Sequence, residues 1–194
     1  MRGQAHTLEA FVAAILIVGG LIFATQATAV TPLSASTSNQ HIENQQQASI
    51  EGLLATAAKD GTLREAVLYW DPDADEFDGV PDQGTYARGP PNDFGTALNA
   101  TLLERQIAFN VDVRYAEPDG GTDVERMVEM GQPSNNAVVA TRTVGLYDNS
   151  TLSSDGYEDT TLGEMGEAMV YADDVEGDGQ LYAVVEVEVT AWRK

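Results

Sequence analysis

The chain has no cysteine, and it has only two lysines and two histidines among 194 residues. The absence of cysteine excludes disulfides, thiolate metal sites and cysteine nucleophiles. The histidines, His6 and His41, flank an apolar segment near the N-terminus, so the rest of the chain has no imidazole for general-base catalysis or for metal binding. We therefore expect no enzymatic activity and no cofactor.

Basic side chains are scarce, whereas acidic side chains are abundant. The chain has 31 acidic residues against 10 basic ones, which gives a formal net charge of -21. Such a surface repels nucleic acid, so nucleic acid is not an expected partner. A hydrophobic content of 43% argues against disorder. The composition indicates a halophilic organism, because molar salt screens the repulsion between carboxylates.

Residues 10–30 contain no charged side chain. As an α-helix they would measure about 31 Å, which is enough to cross a bilayer. Arg2 precedes this segment and the acidic bulk follows it, so we expect a cytoplasmic N-terminus and an extracellular C-terminal head. An alternative is a cleaved secretory leader, because residues 27–29 (ATA) match the A-x-A signal for cleavage after Ala29.

Residues 2–11 have the sequence RGQAHTLEAF and lead directly into the apolar segment. This N-terminus resembles that of the haloarchaeal type IV pilin-like membrane proteins, in particular the uncharacterised ones that begin with RGQAHTLEAF. The resemblance implies that a prepilin peptidase cleaves the leader between Gly3 and Gln4, or after Gln4. It also implies an assembly role for Glu9, whose carboxylate would meet the N-terminal amine of a neighbouring subunit.

The sequence after the apolar segment predicts a second helix. Pro32 is expected to kink or interrupt the chain, and residues 34–39 are small, polar candidates for a helix N-cap. An imperfect apolar stripe then predicts a helix over residues 41–59, ended by Gly61. The stripe consists of Ile42, Ile50, Leu53, Leu54 and Ala57.

The sequence pattern over the last two thirds of the chain predicts a folded head domain that contains a β-sheet. Alternation of apolar and polar residues predicts antiparallel strands over 106–117, 136–147 and 180–192, with one face exposed to water. A further strand is expected over 66–70 and a helix over 96–105. The other segments are predicted to be a loop at 71–93, connections at 128–133 and 147–157, and a short helix or loop at 159–169.

The expected fold class is α+β: an N-terminal transmembrane helix continues into a kinked amphipathic helix that packs on an antiparallel β-sheet head. Four regions are expected, namely a cytoplasmic leader (1–9), the transmembrane helix (10–30), a helical stalk (31–61) and an acidic extracellular head (62–194).

Two acidic loops are weak candidates for a metal site. The carboxylates of Asp71, Asp73, Asp75 and Asp78 have the spacing of half a calcium loop, although Glu76 occupies the position of the required turn glycine. Residues 174–179 have the glycine, but Val185 occupies the twelfth position. The alternative for both is a solvated acidic loop. Asn99 and Asn149 begin Asn-x-Ser/Thr sequons and are the candidate glycosylation sites.

These observations favour a pilin-like, membrane-anchored component of the cell surface or of a secretion system, with a structural or assembly role. The expected partners are the bilayer (through residues 10–30), other pilin-like subunits and a prepilin peptidase. An alternative is a tethered extracellular binding or accessory domain that does not polymerise. A third possibility is a soluble secreted factor released by cleavage after Ala29.

Overall fold

The computed structural model describes residues 12–18, 21, 31–81, 84–117, 120–157, 159–165, 170–175, 177 and 179–193. The chain divides into two compact units, Met1–Asn44 and Gln45–Lys194. In the first unit, residues 12–18 and 21 are helical. Within the part of the chain that the structure describes, no helix is long and apolar enough to cross a bilayer. Most of the segment 10–30 lies outside that part.

Helix α1 spans Thr31–Asp60, so it begins earlier than predicted. The expected start was wrong because serine, threonine and asparagine are weak helix formers and gave no periodic signal before residue 41. Pro32 lies in the first turn, where a backbone N–H has no intrahelical partner to lose. Gly61 follows the helix with a φ of 90°, a left-handed conformation that suits glycine, so the predicted end is confirmed.

The strand predicted over residues 66–70 is wrong, because helix α2 occupies Thr62–Val67. Leu63, Ala66 and Val67 are buried at helical spacing, and a short apolar run of this kind does not distinguish a helix from a strand. Only Trp70–Asp71 forms a strand, β1. It pairs antiparallel with β2 (Glu76–Phe77), inside the segment predicted to be a loop.

Helix α3 spans Asp93–Thr101 and is followed by a 3-10 turn at Leu103–Arg105, in agreement with the helix predicted over residues 96–105. Asn92 caps its N-terminus, because the Oδ1 atom accepts a hydrogen bond from the Gly95 backbone N–H at 3.0 Å. A second 3-10 turn at Leu162–Glu164 lies in the segment predicted to be a short helix or loop.

The main sheet has four strands in the order β4-β3-β6-β5, and every neighbouring pair is antiparallel. The strands span Ile107–Ala116 (β3), Thr122–Val128 (β4), Val138–Tyr147 (β5) and Leu181–Arg193 (β6). Three of them confirm predicted strands. Strand β4, at the edge of the sheet, was not predicted, because charged side chains occupy both of its faces and leave no simple alternation.

One face of the sheet packs against α1 and the short helices in a single core. Ile50, Leu54 and Ala57 of α1 belong to this core and Leu53 packs against it, which confirms this part of the predicted stripe. Ile42 is 41% exposed, so its place in the stripe was wrong. On the central strands β3 and β6 the fully buried residues are Phe109, Val111, Val113, Val185, Val187, Val189 and Ala191. The α+β class of the head is therefore as predicted.

Candidate functional site

A cleft with a volume of about 870 Å³ lies where β5 ends. We call it the Arg64 cleft. Its walls come from α2, from the turn after β5 and from the segment before β6. The lining residues are Gly61, Arg64, Glu65, Leu68, Tyr147, Asp148, Asn149, Ser150, Thr151, Ser153, Gly179 and Gln180.

Tyr147 joins the wall of the cleft to α2. The Arg64 guanidinium lies over the Tyr147 ring, 5.8 Å from its centroid, which is cation–π geometry. The turn after β5 is closed by Ser150, whose backbone N–H donates to the Tyr147 carbonyl at 2.8 Å. The Ser150 hydroxyl accepts from the Tyr147 backbone N–H at 3.2 Å. The ring and the turn therefore present a fixed polar wall.

Asp148 is held at the base of the cleft through its backbone. Its N–H donates to the Gln180 carbonyl at 3.1 Å, and its carbonyl accepts from the Gly163 N–H at 3.0 Å. A Cβ at Gly163 would lie 3.0 Å from the Asp148 Cβ, so glycine permits this close approach. The Asp148 Oδ1 atom is shielded from solvent and has no hydrogen-bond partner in the described part of the chain.

The cleft combines a guanidinium, carboxylates, hydroxyls and two side-chain amides. This set can donate and accept hydrogen bonds with a polar ligand. Since no histidine or cysteine follows His41, the cleft offers neither an imidazole base nor a thiol nucleophile.

The first acidic loop is a hairpin turn, and its carboxylates point to different partners. The Asp71 Oδ1 atom accepts from the backbone N–H of Asp73 at 2.9 Å, and the Asp75 N–H donates to the Asp71 carbonyl at 2.9 Å. Burial raises the pKa of Tyr157 and of Tyr69, and the nearby carboxylates of Asp73 and Asp78, respectively, raise it further.

The four candidate ligands Asp71, Asp73, Asp75 and Asp78 therefore do not converge on one point. Within the second acidic loop, the Asp174 Oδ1 atom accepts from the Gly177 N–H at 2.9 Å. Among the described residues, no group of three or more His, Asp or Glu side chains is placed to hold a metal ion.

The two sequons have different environments. Asn149 is exposed at the rim of the Arg64 cleft, in the turn after β5. Asn99 lies half-buried on α3, and its Oδ1 atom accepts from the Gly89 backbone N–H at 3.0 Å. The side chain of Asn149 is accessible, whereas that of Asn99 anchors a neighbouring loop.

The solvent face of the sheet carries ordered ion pairs. The Arg114 guanidinium contacts the Glu188 carboxylate at 3.1 Å. Arg126 contacts Asp112 at 2.8 Å and Glu129 at 3.2 Å. Two arginines are therefore placed among the carboxylates of this face, which is less negative than the composition of the chain implies.

The proposed processing and assembly residues, Gly3, Gln4 and Glu9, lie outside the described residues. The chain was also compared with families of related sequences. A family model described as a family of unknown function (DUF7288) matches residues 2–191. The chain belongs to this family. Comparison with curated proteins found no match, and comparison with solved structures found none either.

Sequence reasoning did not identify the Arg64 cleft. Arg64 and Tyr147 are far apart in the sequence, and α2 had been predicted to be partly a strand, which would have placed its side chains differently. The one local signal was the cluster of polar residues over 147–151, which was interpreted only as a connection with a sequon.

Proposed function

We propose that the chain is a pilin-like, single-pass membrane-anchored component of the cell surface or of a secretion system in a halophilic archaeon, with a structural or assembly role. The order of features at the N-terminus supports this most directly: Gly3-Gln4, then Glu9, then the uncharged segment 10–30. A carboxylate at the start of a membrane helix is costly without a cationic partner, and the N-terminal amine of a processed neighbour supplies one.

The proposed topology has the N-terminus in the cytoplasm and the head outside. It is supported by Arg2 before the apolar segment and by the large excess of acids after it. We expect protease treatment of intact cells to degrade the head while a short N-terminal fragment stays with the membrane. Full protection of the head would contradict this topology, and recovery of the head in the medium would support cleavage after Ala29.

Glu9 distinguishes a pilin-like subunit from a plain anchor. We expect Glu9→Gln to leave membrane insertion intact and to abolish the filament fraction that is sheared from wild-type cells. The mature N-terminus, measured by mass spectrometry, should begin at Gln4 or Ala5. The matched control is Glu104→Gln, which makes the same change at an exposed position of the head. An unprocessed Met1, together with no filaments from wild type, would contradict the pilin-like proposal.

A second candidate function is a tethered binding or accessory domain that does not polymerise. The Arg64 cleft favours it, because a polar concavity of about 870 Å³ is large enough for a small ligand. We expect a protein of this kind to bind a small polar ligand through the cleft, so that Arg64→Ala weakens binding. Arg88→Ala, at an exposed arginine outside the cleft, is the matched control.

A further inference from the structure

The two edge strands of the main sheet carry opposite charges at the two ends of one cross-strand row. Glu125 of β4 pairs with Val113 of β3, which pairs with Val187 of β6, which pairs with Arg142 of β5. Val113 and Val187 are fully buried in the core. Glu125 and Arg142 therefore lie on the same face of the sheet as these valines, the face toward the core, with one residue at each edge of the sheet.

Inward-pointing charges on edge strands discourage pairing with unrelated strands, because the charge would be buried without a partner. Neither Glu125 nor Arg142 forms an ion pair among the described residues. Burial raises the pKa of Glu125, and the negative charges of Asp75 and Asp123 raise it further. A cation placed beside Glu125 would therefore stabilise its ionised form.

The open edge of β5 is the least acidic part of the head. Residues 130–147 contain no aspartate or glutamate, and Arg142 is their only charged residue. Within the described chain, residues 138–146 make no backbone hydrogen bonds to any segment other than β6. Gln47, Glu51 and Ala55 of α1 line a shallow pocket with residues 139–142, so α1 flanks this strand without hydrogen-bonding its backbone. The backbone of the edge is thus free to pair with an added strand, and Arg142 favours an acidic one.

The open part of β4 has the complementary character. Tyr86 covers its C-terminal end, because its N–H donates to the Met127 carbonyl at 3.0 Å and its carbonyl accepts from the Glu129 N–H at 2.9 Å. Among the described residues, 122–126 make no backbone hydrogen bonds to a segment other than β3, and they include Asp123 and Glu125. Because the sheet has four antiparallel strands, β4 and β5 run in opposite directions, so two copies can join edge to edge in antiparallel fashion.

We propose that β5 of one copy binds β4 of a second copy, in the register that places Arg142 beside the neighbour's Glu125. This register continues each row of the sheet without slip. On the solvent face it places Thr143 beside Val124 of the neighbour. The contact rests on the proposed assembly role and identifies the surfaces of the head through which copies meet.

The absence of cysteine allows a direct test in membranes that contain the full-length chain. One tagged copy carries Thr143→Cys and a second, differently tagged copy carries Val124→Cys; both positions are exposed. Within one chain the row Val124–Arg114–Glu186–Thr143 separates these residues by about 14 Å, too far for a disulfide. Mild oxidation is expected to give a disulfide between the two tagged copies.

Val139→Cys paired with Val124→Cys is the off-register control, because Val139 is an equally exposed β5 position that the proposed register does not place beside Val124. It should give little product. A disulfide between two Thr143→Cys copies would show that β5 pairs with β5, and would overturn the proposal. Absence of the Thr143–Val124 product, when the wild-type chain forms filaments, would also overturn it.

Charge reversal tests the pairing of the two rows. Arg142→Glu or Glu125→Arg alone is expected to lower the Thr143–Val124 cross-link about tenfold or more, because like charges would then face each other. Combining a copy that carries Arg142→Glu with one that carries Glu125→Arg should restore it. Circular dichroism of each variant in molar salt shows whether the fold is kept, and Arg142→Gln and Glu125→Gln replace any variant that unfolds.

The cross-link and the filament assay report different things. If filaments form without the cross-link, the proposed function stands and the β4–β5 contact is wrong. If the cross-link forms in membranes but Glu9→Gln has no effect and no filaments are found, copies associate through the sheet and the pilin-like proposal is wrong.

Discussion

Asn110 holds Met130 and Gly131 through both atoms of its side-chain amide. The Oδ1 atom accepts from the Met130 backbone N–H at 2.8 Å, and the Nδ2 atom donates to the Gly131 carbonyl at 3.0 Å. Among the described residues, Asn110 and Ser154 are the buried polar ones. Asn110 lies on β3, next to the point where β4 ends. The amide therefore takes the place of ladder hydrogen bonds beyond the last residue of β4.

We expect Asn110→Ala to lower the free energy of unfolding by about 2 kcal/mol, because two backbone groups lose their partner in a buried site. Denaturant unfolding in molar salt measures the change. Asn135→Ala, at an exposed position of the following loop, is the control and should have little effect. Equal stability of the two variants would show that water replaces the amide.

Two glycines inside helices should respond to alanine in opposite ways. A Cβ at Gly95 of α3 would lie 1.8 Å from the Pro90 carbonyl oxygen, a backbone clash that no side-chain movement relieves. Gly52 of α1 has no atom within 4 Å of the same position. We expect Gly95→Ala to destabilise the chain by about 3 kcal/mol or more. Gly52→Ala should stabilise it by about 0.5–1 kcal/mol. Thermal unfolding in molar salt compares them.

Glycosylation should occur at Asn149 and not at Asn99. Asn149 is exposed in a turn, whereas the Asn99 side chain is half-buried and accepts a hydrogen bond from Gly89. Mass spectrometry of peptides from the native chain measures the occupancy of each site. Modification at Asn99 would mean that the glycan is added before α3 packs against the loop at Gly89.

Stability should fall as salt is removed. With a net charge of -21, repulsion acts across the whole surface once the screening length reaches about 10 Å, at about 0.1 M salt. Circular dichroism across a salt series measures the loss of folded protein. The ion pairs of Arg114 and Arg126 strengthen at low salt and oppose the effect only locally. A fold that is indifferent to salt would contradict the halophilic interpretation.

Glu125 should make stability depend on pH. Its pKa in the folded chain is raised, first by burial and then by Asp75 and Asp123. A raised carboxyl pKa means that the folded state favours the protonated form. The stability that the protonated carboxyl contributes is therefore present at low pH and is lost as pH rises through the folded pKa. Glu125→Gln should therefore raise the unfolding midpoint at neutral pH and flatten the profile as pH rises above the ordinary glutamate pKa. Glu129→Gln, which removes an ion pair with Arg126, should not stabilise.

The parts of the fold that could be predicted are those in which burial follows a regular period. Strand β6 alternates buried valines with glutamates, and the stripe on α1 repeats at helical spacing, so both were recognised. Helix α2 and strand β4 were not recognised, because their secondary structure depends on contacts with other parts of the chain. The three buried residues in Thr62–Val67 suit either a helix or a strand. Strand β4 is defined by its pairing with β3.

The candidate site was less predictable than the fold. Its groups come from α2, from the turn after β5 and from the start of β6, and no spacing in the sequence joins these segments. The acidic loop at Asp71 illustrates the opposite problem. Its spacing resembles that of a calcium loop, but the hairpin places the carboxylates near backbone N–H groups and tyrosine side chains.

The even number of strands in the sheet gives a chain of copies a direction. With four antiparallel strands, the two edges are unlike: one ends in β4 with its carboxylates and the other in β5 with Arg142. Copies joined through these edges all point the same way, and the array ends in a β4 strand on one side and in a β5 strand on the other. Growth at the two ends would then proceed at different rates, and a copy with a blocked β5 would stop only one of them.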